Sequence, residues 1–440
     1  MNLATQKSGF GALQLVSGSP SLGGEWSATI KSLATVVAGS FTLLVLTWFV
    51  LPYVQTLPVL LIKLFDYLPF VLLLSGMALC WRFGRTRLFL LMVWLAALHI
   101  SIHSLPGEVN VQQRTIAYVL MAVLSPVNVV LIVLFKERGI FTKYGFMCLG
   151  LAALQIAMVA GLAVSQATMI TVIVNARFDA TGILSYLLVP QVAQLLFIAS
   201  TVFLLVRLVR HPTVVDGAAL ASLAAILLTL QSVGMGVAGS LYVTAASIIL
   251  LLAVVQDSYN MAYHDELTGL PGRRALNEDI LKLGGCYVIA MVDVDHFKKF
   301  NDKYGHDVGD QVLRFIAARL GAVRGGGKAY RYGGEEFTLL FPNKTLSGVA
   351  DFIVPLHEAI ANSRFQIRSR RRPRKAPKHR PRRSSSSREV AITVSIGLAE
   401  RDERYTNTER VLKAADKALY KAKRAGRNCL YSRTGGAYPA

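Results

Sequence analysis

The sequence predicts an N-terminal all-α polytopic membrane bundle of about eight spans, joined to a C-terminal soluble α/β domain. Composition is the first reason. Of 440 residues, 53% are hydrophobic and only 17% charged, against about 25% charge in soluble domains. The distribution of charge is the second. Residues 1–256 hold 13 Lys/Arg and 6 Asp/Glu, whereas 257–440 hold 34 and 20. Patterning is the third: long runs of Leu, Val, Ile, Ala and Phe give way after Gln256 to short apolar strands and amphipathic helices. These features exclude both a disordered chain and an ordinary cytosolic protein.

Residues 1–32 are small, polar and Gly/Ser-rich, and read as a flexible cytoplasmic tail. The first apolar run begins near Leu33, too late for a cleavable signal sequence. The bundle occupies 33–256. A span needs about 20 apolar residues, and eight segments qualify: 33–54, 57–80, 88–106, 115–135, 144–166, 186–206, 218–236 and 239–256. The last two nearly touch, so seven is the alternative count. Alternate loops carry Arg82, Arg85, Arg87, Lys136, Arg138, Lys143, Arg207 and Arg210, against only Arg114 and Arg177 in the others. Basic loops stay in the cytoplasm, so eight spans place both ends of the chain there.

Polar residues inside spans are few. Lys63 and Asp66 share a helix face, as an ion pair or as a ligand or ion site. His99 and His103 are four apart, which suits an interhelical hydrogen bond or, alternatively, a metal or haem. Pro126 and Pro190 are expected to kink their helices. The cysteines, Cys80, Cys148, Cys286 and Cys429, form no metal or disulfide spacing.

The soluble part, 257–440, follows span eight with almost no linker. Tyr287–Asp293 reads as a buried strand ending in an acid, and Gly309–Val323 as a helix. Ala329–Tyr332 and Glu335–Phe341 read as strands around a tight Gly333-Gly334 hairpin turn. Thr345–Ser363 reads as a helix bent at Pro355, Val390–Ala399 as a strand, and Thr408–Arg424 as an amphipathic helix. If the strands are neighbours, Asp293 meets Glu335 at one sheet edge. Hard carboxylate oxygens suit Mg²⁺, which also takes phosphate oxygens. Lys298, Lys423 and Arg427 are then placed to neutralise phosphate, although surface ion pairs would use the same residue types.

Motif context decides between these. Arg331-Tyr332-Gly333-Gly334-Glu335-Glu336-Phe337 resembles the signature of the GGDEF family in its GGEEF form. Asp265–Leu270, Asp293–Lys298 with Asn301-Asp302, Gly305–Asp310, Val394–Gly397 and Ala415–Asn428 resemble further family segments in the expected order. The resemblance covers about 257–432. It implies a palm-like nucleotidyl cyclase fold and a diguanylate cyclase, which condenses two GTP into cyclic di-GMP and two pyrophosphates. It implies Mg²⁺, or Mn²⁺ as the alternative, on Asp293, the Val294 carbonyl, Glu335 and Glu336, with Glu335 and Lys298 catalytic. It places Phe297, Asn301, His306, Asp310, Gly333, Gly334, Lys423 and Arg427 around the substrate. It further implies a homodimer, a bacterial inner-membrane location with the catalytic domain in the cytoplasm, and the family's usual output in biofilm and motility control. Competing readings are a silent GGDEF module, a cyclic di-GMP receptor and a transporter with a regulatory tail.

Two departures stand out. The family's inhibitory R-x-x-D motif is degenerate: Arg324 is present, but Gly327 replaces the Asp. Weak or absent product inhibition is the expectation. A basic insert, 364–388, holds 12 Lys/Arg, no acids and three prolines, and is expected to be a loop. It reads either as a solvated loop with no role or as a partner for anionic lipid; nucleic acid is not expected.

Overall fold

The computed structural model describes residues 23–103, 111–165, 188–210, 212–367, 388–402, 407–432 and 437–438. Among the described residues, eight apolar helices lie in the N-terminal part. They are α1 (Gly23–Gln55), α2 (Val59–Phe83), α3 (Thr86–His103), α4 (Val111–Leu134), α5 (Lys143–Val164), α6 (Gln191–Arg210), α7 (Val214–Gln231) and α8 (Ala238–Tyr263). Seven are long and apolar enough to cross a membrane; α3 is apolar but shorter. Helix α1 begins inside the stretch expected to be tail, and residues 1–22 lie outside the described residues.

Burial ranks the helices. In α7 and α8, 72% and 78% of the apolar window is buried, against 17% in α1, α2 and α5, so the last two helices are the centre of the bundle. Small residues such as Ala218, Ala221, Ala225, Ala245 and Ala246 line them and are fully buried, which lets backbones approach closely. On the periphery, Trp48, Phe49, Tyr53 and Leu60 are exposed, a surface suited to lipid rather than water.

Two expectations for polar or breaking residues change, those for Lys63 with Asp66 and for Pro190. Lys63 is exposed and does not pair with Asp66, which instead accepts from Ser240 Oγ at 2.6 Å. Ser240, on the packed neighbour α8, supplies the partner of the half-buried Asp66 carboxylate, while Lys63 extends away. His99 is buried and its Nε2 lies 3.1 Å from the Asp66 carbonyl, the interhelical bond that was one of its two readings. Pro190 precedes α6, where a missing N–H costs nothing, so it starts that helix instead of kinking it. Pro126 does lie within α4, and its carbonyl accepts from Ser200 Oγ at 3.1 Å.

Helix α8 does not stop at the expected membrane boundary near Gln256. It continues to Tyr263 and delivers the chain straight into the second domain. Around its exit, Arg85 forms an ion pair with Asp257 at 3.0 Å and also contacts Met261. Arg87 pairs with Glu137 at 2.8 Å, and Glu137 also accepts from the Thr86 amide. The α2–α3 and α4–α5 connections therefore sit on the side from which α8 leaves.

The second domain comprises α9 (Arg273–Leu281), β1 (Tyr287–Val294), α10 (Phe297–Tyr304), α11 (His306–Gly321), β2 (Lys328–Arg331), β3 (Glu336–Pro342), α12 (Leu346–Ala361), β4 (Arg364–Ile367), β5 (Arg388–Ala391), β6 (Val394–Glu400), α13 (Thr408–Arg424), β7 (Leu430–Ser432) and β8 (Ala437–Tyr438). A six-stranded sheet runs β2-β3-β1-β6-β7-β8. All eight residues of β1 are buried, as a central strand covered on both faces requires. One core lies under α11 and α12; the other, built on Leu276, Ile280, Val411 and Leu419, lies under α9 and α13.

The expected strand Val390–Ala399 is two strands. β5 pairs with β4 in a separate two-stranded sheet, and β6 joins the main sheet. The ends of the basic insert are therefore a hairpin stem, while residues 368–387 lie outside the described residues. The Gly333-Gly334 turn is also wider than expected. β2 and β3 pair from Arg331↔Phe337, and neither glycine has a positive φ, so this is not a two-residue mirror-image turn.

Helix α13 packs across β6 at Gly397. A Cβ there would lie 2.0 Å from Leu419 N and 2.3 Å from Ala415 O, both backbone atoms that cannot swing aside. Gly397→Ala is expected to destabilise the domain by about 3 kcal/mol or more, the upper range for overpacking. Thermal unfolding of the purified variant checks this.

Candidate functional site

The site lies where β1 ends. Asp293 faces Glu336 in the β1–β3 register and Ser395 in the β1–β6 register. Glu335 immediately precedes β3, and its carbonyl accepts from Val294 N at 3.3 Å. The acids meet at the end of two central strands, not along a lateral edge of the sheet. Lys423, in the last turn of α13, reaches Asp293 Oδ2 at 2.7 Å.

These groups perturb one another. Burial raises the Asp293 carboxyl above the usual carboxylate range; Lys423 pulls the other way and Asp295 adds to the rise. Burial likewise raises Glu335, with the charges of Asp293 and Glu336 adding to it and Lys423 opposing. Two partly desolvated carboxylates that repel each other favour a cation between them. No group of three or more His, Cys, Asp or Glu forms a ready metal cage among the described residues. Two carboxylates and the Val294 carbonyl nevertheless offer the hard oxygen donors that suit a divalent cation.

The turn that carries Glu335 is held by Arg331. Its guanidinium donates to Gly334 O at 2.7 Å and Gly333 O at 3.2 Å, and pairs with Asp265 Oδ2 at 2.6 Å. The same Asp265 oxygen accepts from Thr268 N and Oγ1. Burial opposes ionisation of Asp265, but the bonds from Thr268 and Arg331 prevail and hold its carboxyl below the usual range. Arg331 N also donates to Pro271 O at 2.9 Å, and Gly272 N to Tyr263 O at 2.7 Å. Thus the end of α8 lies a few bonds from the turn that carries Glu335. Residue-level reading gave Asp265 and Arg331 no role; the available signal was that both belong to the matched motifs.

On the other side, Asn301 of α10 has a buried Oδ1 with no hydrogen-bond partner among the described residues. Gly309 makes room for it, since a Cβ there would lie 1.8 Å from that oxygen. Asp310 is half-buried one residue on, while Lys298 and His306 are exposed and no described hydrogen bond or ion pair ties them to the carboxylates. Phe297 is a core side chain beneath these helices, only 8% exposed. Arg427 is near enough to Asp293 to lower its pKa. A cleft of about 740 Å³ runs from Glu336 along α13 past Lys417, Lys421, Lys423 and Arg424, a basic wall suited to phosphate.

Comparison with known proteins gives this geometry a family. Residues 262–429 match the family profile described as "Diguanylate cyclase, GGDEF domain". The diguanylate cyclase VdcA of Vibrio cholerae is 39% identical over 171 residues, covering 38% of this chain and 46% of that protein. The response regulator PleD of Caulobacter vibrioides is 35% identical over 182 residues, covering 39% and 36%. Among solved structures, the GGDEF domain of DgcB from Caulobacter crescentus, crystallised with c-di-GMP, is 34% identical. It covers 39% of this chain and 93% of that one, with a TM-score of 0.33. The chain spans less than half the length of the two curated relatives. Its C-terminal domain is a GGDEF domain of the GGEEF form, carried behind a bundle of apolar helices.

A carboxyl with a raised pKa binds its proton more tightly in the folded state. Its penalty is complete above that pKa and disappears as pH falls through it. Glu335→Gln should therefore melt higher than the native protein at neutral pH, with the gap closing on acidification. Melting curves at several pH values in metal-free buffer check this.

Proposed function

We propose that this protein is a membrane-bound diguanylate cyclase, condensing two GTP into cyclic di-GMP and two pyrophosphates under control of its helical bundle. One observation carries the reading: Asp293, Glu335 and Lys423 converge at the end of β1, on a GGEEF turn fixed by Arg331. Asp293, the Val294 carbonyl and Glu335, with Glu336 beside them, would hold Mg²⁺ or Mn²⁺. Bound there, the ion would favour ionisation of the attacking ribose 3′-hydroxyl and offset charge at the α-phosphate. Lys423 and Arg427 hold phosphate oxygens, and Lys298 stabilises charge as pyrophosphate leaves. The orphan acceptor of Asn301 suits an N–H donor, and with Asp310 and His306 it reads the guanine. Gly333 and Gly334 let the backbone approach the nucleotide. One domain presents one GTP, so a second copy must face it, and the active form is a homodimer.

The bundle has a short route to that pairing. Helix α8 is both the central helix and the entry to the domain, clasped at its exit by Arg85. Arg85 and Arg87, at the α2–α3 connection, lie at that exit, which supports an inner-membrane protein with its catalytic domain in the cytoplasm. The basic insert, at the tip of the β4–β5 stem, is suited to anionic lipid, each basic residue near the surface contributing about 1 kcal/mol. Product inhibition is weak or absent. A Cβ at Gly327 would lie 2.6 Å from Phe341, so the missing Asp cannot simply be restored.

The test is full-length protein in detergent with GTP and Mg²⁺, reading cyclic di-GMP by mass spectrometry. Native protein is expected to make it, and Glu335→Ala to lose activity by at least about 10³-fold. No product from the native protein, nor from residues 257–440 forced into a dimer, would sink the proposal. In the same assay, added cyclic di-GMP should leave the initial rate unchanged; strong inhibition would show that product binds without the missing carboxylate.

A further inference from the structure

The spacing Asp293-x-Asp295 invites reading both acids as metal ligands. The structure separates them. Asp295 Oδ1 accepts from Ser395 Oγ at 2.6 Å. Its Oδ2 accepts from Thr393 Oγ1 at 2.8 Å and from the amide of Asn428 at 3.0 Å, while Asp295 N donates to Thr393 O at 3.0 Å. Both oxygens are thus committed to protein donors.

The Asn428 contact matters because of the backbone it holds. After α13 the chain passes through three consecutive left-handed residues: Gly426 at φ 115°, Arg427 at 68° and Asn428 at 46°. Only the first is glycine, and a side chain makes this region costly. Such a conformation persists only where neighbours over-determine it. Arg427 N donates to Ala422 O at 3.1 Å, which ties the turn to α13. Ile396 N donates to Cys429 O at 3.0 Å, which ties the following residue to β6. Between these, the Asp295 carboxylate is the bond that fastens the turn to the end of β1, beside Asp293.

We infer that Asp295 is a positioning residue: it locks the left-handed turn Gly426–Asn428 against the end of β1 and so sets Arg427 beside the carboxylate site. Its role for the nucleotide rests on the cyclase reading above; its role in holding the turn does not. Asparagine can preserve the arrangement. Its carbonyl oxygen takes the Asn428 and Thr393 donors, and its NH₂ group donates to a rotated Ser395 hydroxyl. Alanine cannot.

Hydrogen exchange on the full-length protein in detergent reads the turn directly, with no nucleotide present. Asp295→Ala should speed exchange by at least about tenfold at residues 427–429 and leave the β6 amides protected. Asp295→Asn should exchange there as the native protein does. Thr393→Val, which removes one restraint on the carboxylate, should give a smaller change in the same place and keeps the test open if the alanine variant does not fold.

A second measurement separates positioning from metal ligation. Mn²⁺ binding, followed by electron paramagnetic resonance, should be within about twofold of native in Asp295→Asn and at least about tenfold weaker in Asp293→Asn. In turnover, Asp295→Ala should raise the KM for GTP more than it lowers kcat, with Asp295→Asn close to native. Unchanged exchange at 427–429 in Asp295→Ala would overturn the inference. So would a loss of Mn²⁺ affinity in Asp295→Asn equal to that of Asp293→Asn. If native protein proves to make no cyclic di-GMP, the exchange result still decides whether Asp295 holds the turn.

Discussion

The guanidinium of Arg331 is the constraint on which the carboxylate end of the domain depends. A turn carrying two adjacent glycines and two acids has little intrinsic order, because glycine restricts φ and ψ weakly and the acids repel. Arg331 supplies what that turn lacks. It draws two turn carbonyls and the Asp265 carboxylate onto one planar cation, and the fork of donors fixes direction as well as distance. The charge is matched, so the pair is not left desolvated and alone. Glu335 inherits its position from this arrangement, and Asp293 from the fully buried strand beside it.

The same pair joins the site to the membrane half. Asp265 is two residues past the end of α8, and Pro271, Gly272 and Tyr263 complete the connection through backbone bonds. The apolar stretch of α8 is the most buried among the described spans, and no flexible linker separates this helix from the second domain. This is a short, contiguous physical route, and it consists of a helix, one salt bridge and one turn.

Much of this was legible in the sequence because the signals were strong. Apolar runs of twenty residues can be little else, and five motifs in order leave little freedom for the domain. Thr408–Arg424 was read to its ends, since Asn407 caps it, Glu409 sits in its first turn, and Lys421, Lys423 and Arg424 in its last. What escaped depended on tertiary contact. Whether Asp66 meets Lys63 or Ser240 is decided by which helix packs there. The break at Ile392 and Thr393, which sends β5 and β6 to different sheets, has no Gly or Pro to mark it. Asn301 and Asp310 were chosen by motif alone, and the structure adds the reason that Gly309 must be small. Asp295 had no role of its own in the sequence, and only its donors reveal one.

The β4–β5 hairpin has a consequence of another kind. Its two strands pair with each other and with no strand of the main sheet, so the chain can lengthen at that tip without altering any register around Asp293. The position is therefore a natural port of entry for foreign sequence. A fluorescent protein inserted between Ile367 and Arg388 would sit on a stem already built to carry cargo. It would report on where the GGDEF domain is and what surrounds it while leaving the central strands as they are.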